Sequence, residues 1–413
     1  MKKNILLLLI ILLQAYNVSD TYACTNFIVT KGASKDGSVM IVYTCDGEFH
    51  PHLRITPSAD YKPGEMLQIE DWSGNTLGTI KQVSHTYSIV GPHMNEHQVS
   101  IGETTFGGRE ELVNPSKFLH YWRLMQLALQ RSKTALEAVK IITGLAEEYG
   151  YRSEGESFSI SDPNEVWILE MAGTGPGGEG AVWVARKVPD GYICAHANKS
   201  RIGEFPLDDP ENCLYSKNVI SFAIEKGYYD PKSGEPFRFN DAYDPTNPSN
   251  LRYCESRVWS MFNRCAPSLK LSTDYHRGVK GAERYPLWIK PDEKLDVEAV
   301  SYIIRDHYEG TEFDMTKGIE AGPFGSPNRC RPLVWEVDEK TAVWERAISS
   351  PNTAYSFIAQ SRSWLPDEIG GLLWYGYDDT VDATGVLEEK AGIIALEPGN
   401  TFKTGYSIGS IST

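Results

Sequence analysis

The chain has 413 residues, 40 Lys+Arg against 55 Asp+Glu for a net charge of −15, and seven cysteines. That length suits one large domain or two ordinary ones, with enough chain for a sizeable core. An acidic surface repels phosphate backbones and anionic membranes, so no nucleic acid partner is expected.

The chain opens with Met1-Lys2-Lys3-Asn4, runs from Ile5 to Leu13 without a polar side chain, and reaches Thr21-Tyr22-Ala23 through a more polar tract. A basic start, a short apolar run and a small residue at the end describe a secretory signal. The apolar run is far below the roughly 20 residues a helix needs to span a bilayer. Residues 1–23 are therefore expected to be removed on export, to a periplasmic or extracellular site. Cleavage after Ala23 gives Cys24 both a thiol and a free α-amine. With an ordinary pKa of about 7.7–8, that amine can accept the thiol proton near neutral pH, so the residue carries its own base. Two other readings of Cys24 stay open here: a lipid-anchored cysteine, and half of an ordinary disulfide. The other six cysteines are even in number, and their pairing cannot be read from sequence.

Cys24 to Thr30 and Val39 to Tyr43 read as two strands joined by a glycine-containing loop, a hairpin that returns Asp46 toward Cys24. A carboxylate there can hold the α-amine or orient the thiol, and a turn aspartate before Gly47 is the plainer alternative. Short strands follow near Leu67–Ile69, Thr79–Val83 and Tyr87–Val90. His93-Met94-Asn95-Glu96-His97 fits a zinc pattern that needs a helix to bring both histidines onto one face. Gly91-Pro92 before it and alternation after it predict a turn into a strand, so no metal is expected.

Asn114-Pro115-Ser116 predicts a helix N-terminus ahead of the stripe Phe118, Tyr121, Trp122, Met125, Ala128 and Leu129. Thr134 with Glu137 is a capping box for a second helix ending near Gly150. Strands resume at Ser157–Ser161, Glu165–Ala172 and Ala181–Val188. The glycine-rich 173–180 segment lacks a Gly-Lys-Ser/Thr ending and a following helix, so it predicts a hairpin tip and not a phosphate cradle. The next strand, over 191–198, ends on Asn198, whose amide can donate to an oxyanion or simply close a turn. Helices are predicted over 216–227, over 256–266 with Arg257, and over 296–310 with Val300, Ile303, Ile304 and His307 on one face. Two β-rich blocks alternating with helix pairs predict a layered α+β domain with helices outside the sheets.

Taken in order, these stretches resemble the secreted C69-type dipeptidases of the N-terminal nucleophile hydrolase superfamily. The resemblance is carried by Cys24-Thr25-Asn26-Phe27, Ala33 to Ser38, Met94 to His97, Gly102 to Thr105 and Ala197 to Gly203. Ser256 to Trp259, Ala266 to Ser268, Arg305 to Thr311, Gly322 to Pro327 and Ser363 to Pro366 with Gly370-Gly371 continue it. It implies a four-layer αββα sandwich over 24–379 and a cysteine dipeptidase in which Cys24 attacks a peptide carbonyl. Asp46 then matches the aspartate near the nucleophile, Asn198 the oxyanion asparagine and Arg257 the arginine that orders the site. Thr105 falls where a second oxyanion contact is made, and Asn95 joins the substrate-binding set. Glu103, beside Thr105, is the carboxylate that would recognise a dipeptide's free amine. No cofactor is implied, small peptides are the expected partners, and a homo-oligomer stays open.

Two departures stand out. Many relatives place an arginine three residues before the aspartate, where this chain has Tyr43, and the match fades after Asp379, which makes 380–413 a divergent or truncated segment. An amidase acting on N-acyl amino acids and a non-catalytic surface lipoprotein are the alternatives to a dipeptidase.

Overall fold

The computed structural model describes residues 24–47, 53–71, 73–318, 321–322, 325–327, 334–338, 340–377 and 394–396. The predicted export signal, Cys330, Pro323, Phe324 and all of 380–413 except 394–396 lie outside the described residues.

In chain order the framing strands are β1 (Thr25–Val29), β2 (Val39–Asp46), β3 (Ser100–Phe106), β4 (Gly155–Ser161), β5 (Val166–Ala172), β6 (Val182–Lys187), β7 (Ile193–His196), β8 (Thr353–Ser361) and β9 (Gly371–Tyr377). The main helices are α1 (Tyr121–Arg131), α2 (Ala135–Tyr149), α3 (Ser256–Cys265) and α4 (Val297–Ile303). Among the described residues, one sheet runs β7-β1-β2-β8-β9 with Trp288–Ile289 and Ile394–Leu396 at its edges. A second runs β6-β5-β4-β3, flanked by Cys213–Tyr215 on one side and by three two-residue strands, beginning with Met94–Asn95, on the other. The framing strands pair antiparallel throughout.

Strands β1, β2, β4 and β5 are buried at every position. A strand reaches that state only when both of its faces are covered. On the second sheet, Ile101, Phe158, Ile160 and Leu169 share an apolar cluster with Leu124, Leu127, Val139 and Ile142 of α1 and α2. On the first, Phe27, Val29, Met40 and Val42 share one with Val258, Phe262, Val300 and Ile303 of α3 and α4. The sheets meet on their other faces, where Ile28 and Val39 join Val166, Ile168 and Val184. At Gly102 the sheets approach closely: a Cβ there would lie 2.4 Å from Asn26 Oδ1 and 3.2 Å from Ile41 Cγ2. The result is an α+β fold dominated by antiparallel sheet.

The helix predicted over 216–227 narrows to Val219–Glu225, and two other predicted helix boundaries move. The first helix begins at Tyr121 and not at Asn114, because the Asn114 side chain is used in a turn. Its Oδ1 accepts from the Ser116 N–H and hydroxyl at 3.2 and 2.6 Å, and its amide donates to the Gly175 carbonyl at 2.7 Å. The helix predicted over 296–310 starts on an Asp296 cap, 2.9 Å from the Ala299 N–H, but stops at Ile303. Past it, Asp306 accepts from the Tyr308 N–H, and Tyr308 turns to a left-handed φ of 63° that no helix continues. Thr134 caps α2 as predicted, accepting from the Glu137 N–H at 3.2 Å, and Gly150 closes it at φ 81°.

Candidate active site

Cys24 stands immediately before β1, a central strand. The Thr25–Thr44 register, extended by one step, sets Cys45 opposite Cys24. Because strand side chains alternate, Tyr43 and Cys45 share the Cys24 face and Asp46 does not. The Asp46 carboxylate pairs instead with Arg346 and accepts from the Thr353 hydroxyl at 2.6 Å. The expected Asp46–thiol contact is replaced by others: Cys24 Sγ lies 3.3 Å from the Tyr43 hydroxyl and 3.9 Å from Glu103 Oε1. Tyr43 in turn donates to Glu103 Oε1 in a short hydrogen bond.

Arg257 reaches this point from the first turn of α3. Its helix follows a wide π-type turn over Leu251–Glu255, and its Nε donates back to the Tyr253 carbonyl at 2.7 Å. One terminal nitrogen donates to the Cys24 carbonyl at 2.8 Å and the Thr25 hydroxyl at 2.9 Å. The other donates to the Ala197 carbonyl at 3.1 Å and to Asn198 Oδ1 at 3.0 Å. A guanidinium has no acceptor, so it forces the Asn198 oxygen toward itself and the amide nitrogen away. That nitrogen donates to the Thr105 carbonyl at 2.7 Å. Asn198 holds φ 57°, a left-handed conformation that asparagine tolerates better than most residues.

The loop after Asn198 is clamped from below. Glu170 accepts from the Arg201 and Ile202 N–H groups at 2.6 and 3.0 Å and from the Ser200 hydroxyl at 2.5 Å. Asp244 accepts from the Ser200 N–H at 2.8 Å and the Lys199 ammonium at 3.4 Å. On the second sheet, only Ser100 of β3 is paired with Met94–Asn95. The edge beyond it carries carbonyls that take side-chain donors from the first sheet, Asn26 onto Glu103 at 2.6 Å and Asn198 onto Thr105.

Electrostatics follow from burial. The Cys24 thiol is pushed well above its usual range by the Cys45 thiol beside it, by desolvation and by the Glu103 charge. Desolvation raises Glu103, and raises Glu156 further with the Glu103 charge added. Glu156 was not singled out by sequence: the strand predicted over Ser157–Ser161 begins one residue after it, and its burial shows only in the fold. Tyr43 was noted only for the arginine it replaces.

The site thus gathers Cys24, Glu103, Thr105, Asn198 and Arg257. Asn95 lies apart: its amide donates to the Leu129 and Ser132 carbonyls, both at 2.8 Å, and its oxygen accepts from the His97 and Val99 N–H groups, both at 3.0 Å. Every strong bonding direction of that side chain is consumed in a turn, which leaves none for substrate. His93 packs among Phe357 and Tyr355, and burial holds its ring down to about 3. His97 meets Tyr87 and Asp367 instead, so the two histidines have separate surroundings.

Residues 23–386 match the family model described as peptidase family C69. The chain is 28% identical over 374 residues to a "Probable dipeptidase" of Salmonella dublin, covering 86% of this chain and 78% of that protein. It is 26% identical to a "Probable dipeptidase" of Latilactobacillus sakei, over 86% and 71% of the two chains. A "Dipeptidase" of Bifidobacterium longum is 27% identical over 86% of this chain and 68% of its own. With the family's pattern running through nearly all the residues that build the two sheets and the site between them, the chain belongs to peptidase family C69.

Proposed function

We propose that the protein is an exported cysteine dipeptidase of the N-terminal nucleophile type, with a four-layer αββα sandwich around Cys24. The observation that carries this reading is the Arg257 clamp. One guanidinium bonds both the Cys24 carbonyl and the Asn198 oxygen, which ties the Asn198 amide to the backbone of the nucleophile. Substrate attack places negative charge on a carbonyl oxygen, and fixed donors at that point are where acyl-transfer sites gain most. Asn198 is the side-chain donor in this reading, and Thr105, whose carbonyl holds that amide, lies beside it.

Removal of residues 1–23 frees the α-amine of Cys24 in the periplasm or outside the cell. With an ordinary pKa of about 7.7–8 that amine can accept the thiol proton as the sulfur attacks, pass it to the leaving amine and then deprotonate the hydrolytic water. The dipeptide substrate class is supported by the names of the relatives.

The test combines intact mass and N-terminal sequencing of the secreted protein with hydrolysis of a dipeptide panel by the same sample. An unmodified N-terminal Cys24, with turnover abolished in Cys24→Ala, is expected. A lipidated Cys24, or full turnover in Cys24→Ala, would sink the reading.

A further inference from the structure

Among the described residues no cation meets the Glu103 carboxylate. The side chain is 2% exposed, and what reaches it is neutral: Oε1 takes the Tyr43 hydroxyl and lies 3.9 Å from Cys24 Sγ. Oε2 is buried with no hydrogen-bond partner. A carboxylate in that state is costly, because water is excluded and no opposite charge replaces it. Burial accordingly raises Glu103 above the ordinary carboxyl range. Glu156, opposite Thr105 and so on the same face of the sheet as Glu103, is a second buried carboxyl, and it takes the Thr105 hydroxyl at 3.0 Å. The chemistry of this face suits a positively charged group.

Strand β3 sets where Glu103 stands relative to the oxyanion donor. Glu103 and Thr105 are two residues apart, about 7 Å along the strand. Their carbonyls each take an amide from the first sheet, Asn26 onto Glu103 at 2.6 Å and Asn198 onto Thr105 at 2.7 Å. The Asn198 amide thus marks one end of this stretch of edge and Glu103 the other, with the sulfur of Cys24 close to the carboxylate. In a peptide with a free N-terminus the amine is two bonds from the first carbonyl carbon, about 2.5 Å away. A sulfur poised for attack lies about 3–3.5 Å from that same carbon. A carboxylate this close to the sulfur is therefore within reach of the charged amine of the residue whose carbonyl is attacked.

We propose that Glu103 binds the α-ammonium of the substrate's first residue and so selects peptides with a free N-terminus. This rests on the reading of Cys24 as the nucleophile. It leaves every proton transfer with the Cys24 α-amine and gives Glu103 the substrate to hold. The Tyr43 hydroxyl, donated to Oε1, orients the carboxylate, and Oε2 is the oxygen left for the ammonium. The entering ammonium supplies the opposite charge that favours the ionised carboxylate, and in a site closed to water that attraction is stronger than it would be at the surface. An acylated amine brings no charge and leaves Glu103 buried and unpaired, which disfavours the complex.

The experiment measures kcat/KM of the mature protein for three substrates: the dipeptide it turns over best, the N-acetyl derivative of that dipeptide, and its α-hydroxy analogue, in which a hydroxyl replaces the ammonium. The wild type is expected to favour the free dipeptide over both by about a hundredfold, the effect of removing one partner from a buried charge pair. Glu103→Gln keeps the side-chain length and an oxygen for the Tyr43 hydroxyl, and the preference for the free dipeptide over the α-hydroxy analogue should all but vanish. A loss of equal size on all three substrates would mean that the carboxylate serves the thiol or the Cys24 amine, and overturns the proposal. Equal wild-type rates on the free dipeptide and its α-hydroxy analogue overturn it without any variant, so a misfolded Glu103→Gln does not shield it. Full turnover in Cys24→Ala is a separate result: it overturns the nucleophile reading, and this proposal with it.

Discussion

Arg257 is fully buried, and its guanidinium bonds oxygens from Cys24 and Thr25, the Ala197-Asn198 turn and the turn before its own helix. Burying that charge is tolerable because each direction of its fork meets an acceptor. His196 shows the opposite solution, a buried ring kept neutral. Its nitrogens lie 2.6 Å from the Thr104 hydroxyl and 2.7 Å from the Ser159 hydroxyl, bridging the sheets, and burial with nearby Arg201 lowers its pKa to about 3. The unfolded histidine, with a pKa of about 6.5, binds more protons than the folded one below that pH. Its contribution is therefore fully present above pH 6.5 and lost progressively as pH falls toward 3. Urea unfolding should show the wild type losing about 1.5 kcal/mol more than His196→Gln between pH 6.5 and 5.0. Equal losses would mean that His196 takes up a proton in the folded protein.

At the scale of elements, the site depends on how closely β3 approaches β1 and β2. Gly102 has no side chain where Asn26 and Ile41 cross it, and Asn26 uses that proximity to reach the Glu103 carbonyl. Gly102→Ala should lower stability by about 1–3 kcal/mol, read as a lower urea midpoint, because the Asn26 side chain, held on the Glu103 carbonyl, and the branched Ile41 must both give way. A midpoint equal to wild type would show that the sheets separate without cost. The element lengths were partly legible. Thr134 and Gly150 bounded α2 correctly because capping is local chemistry. Asn114 misled because its side chain is committed to Gly175, a partner distant in the chain.

At the scale of the whole molecule, the described residues are held together by apolar layers and not by disulfides. Among the described residues Cys24, Cys45, Cys194, Cys213, Cys254 and Cys265 are all buried and unbonded. Desolvation raises Cys194, Cys254 and Cys265 to about 12, which makes them poor nucleophiles near neutral pH. The thermal midpoint should therefore be the same with and without a thiol reductant, and these six thiols should react after denaturation without reduction. A reductant-dependent midpoint would reveal a disulfide.

The sequence by itself determined what short-range chemistry dictates: the alternating strands, the cap of α2, and the ordered motifs that carry the family pattern. Tertiary structure alone decided which side chains meet the thiol. A single step of β2 register selects Cys45 and Tyr43 over Asp46, since neighbouring strand residues face opposite ways. Glu103 reaches Cys24 only because two sheets stack and the edge of β3 stays open beside it. The distance between Cys24 and Glu103 along the chain leaves no local trace of that meeting, because residues so far apart in sequence come together only when the sheets pack.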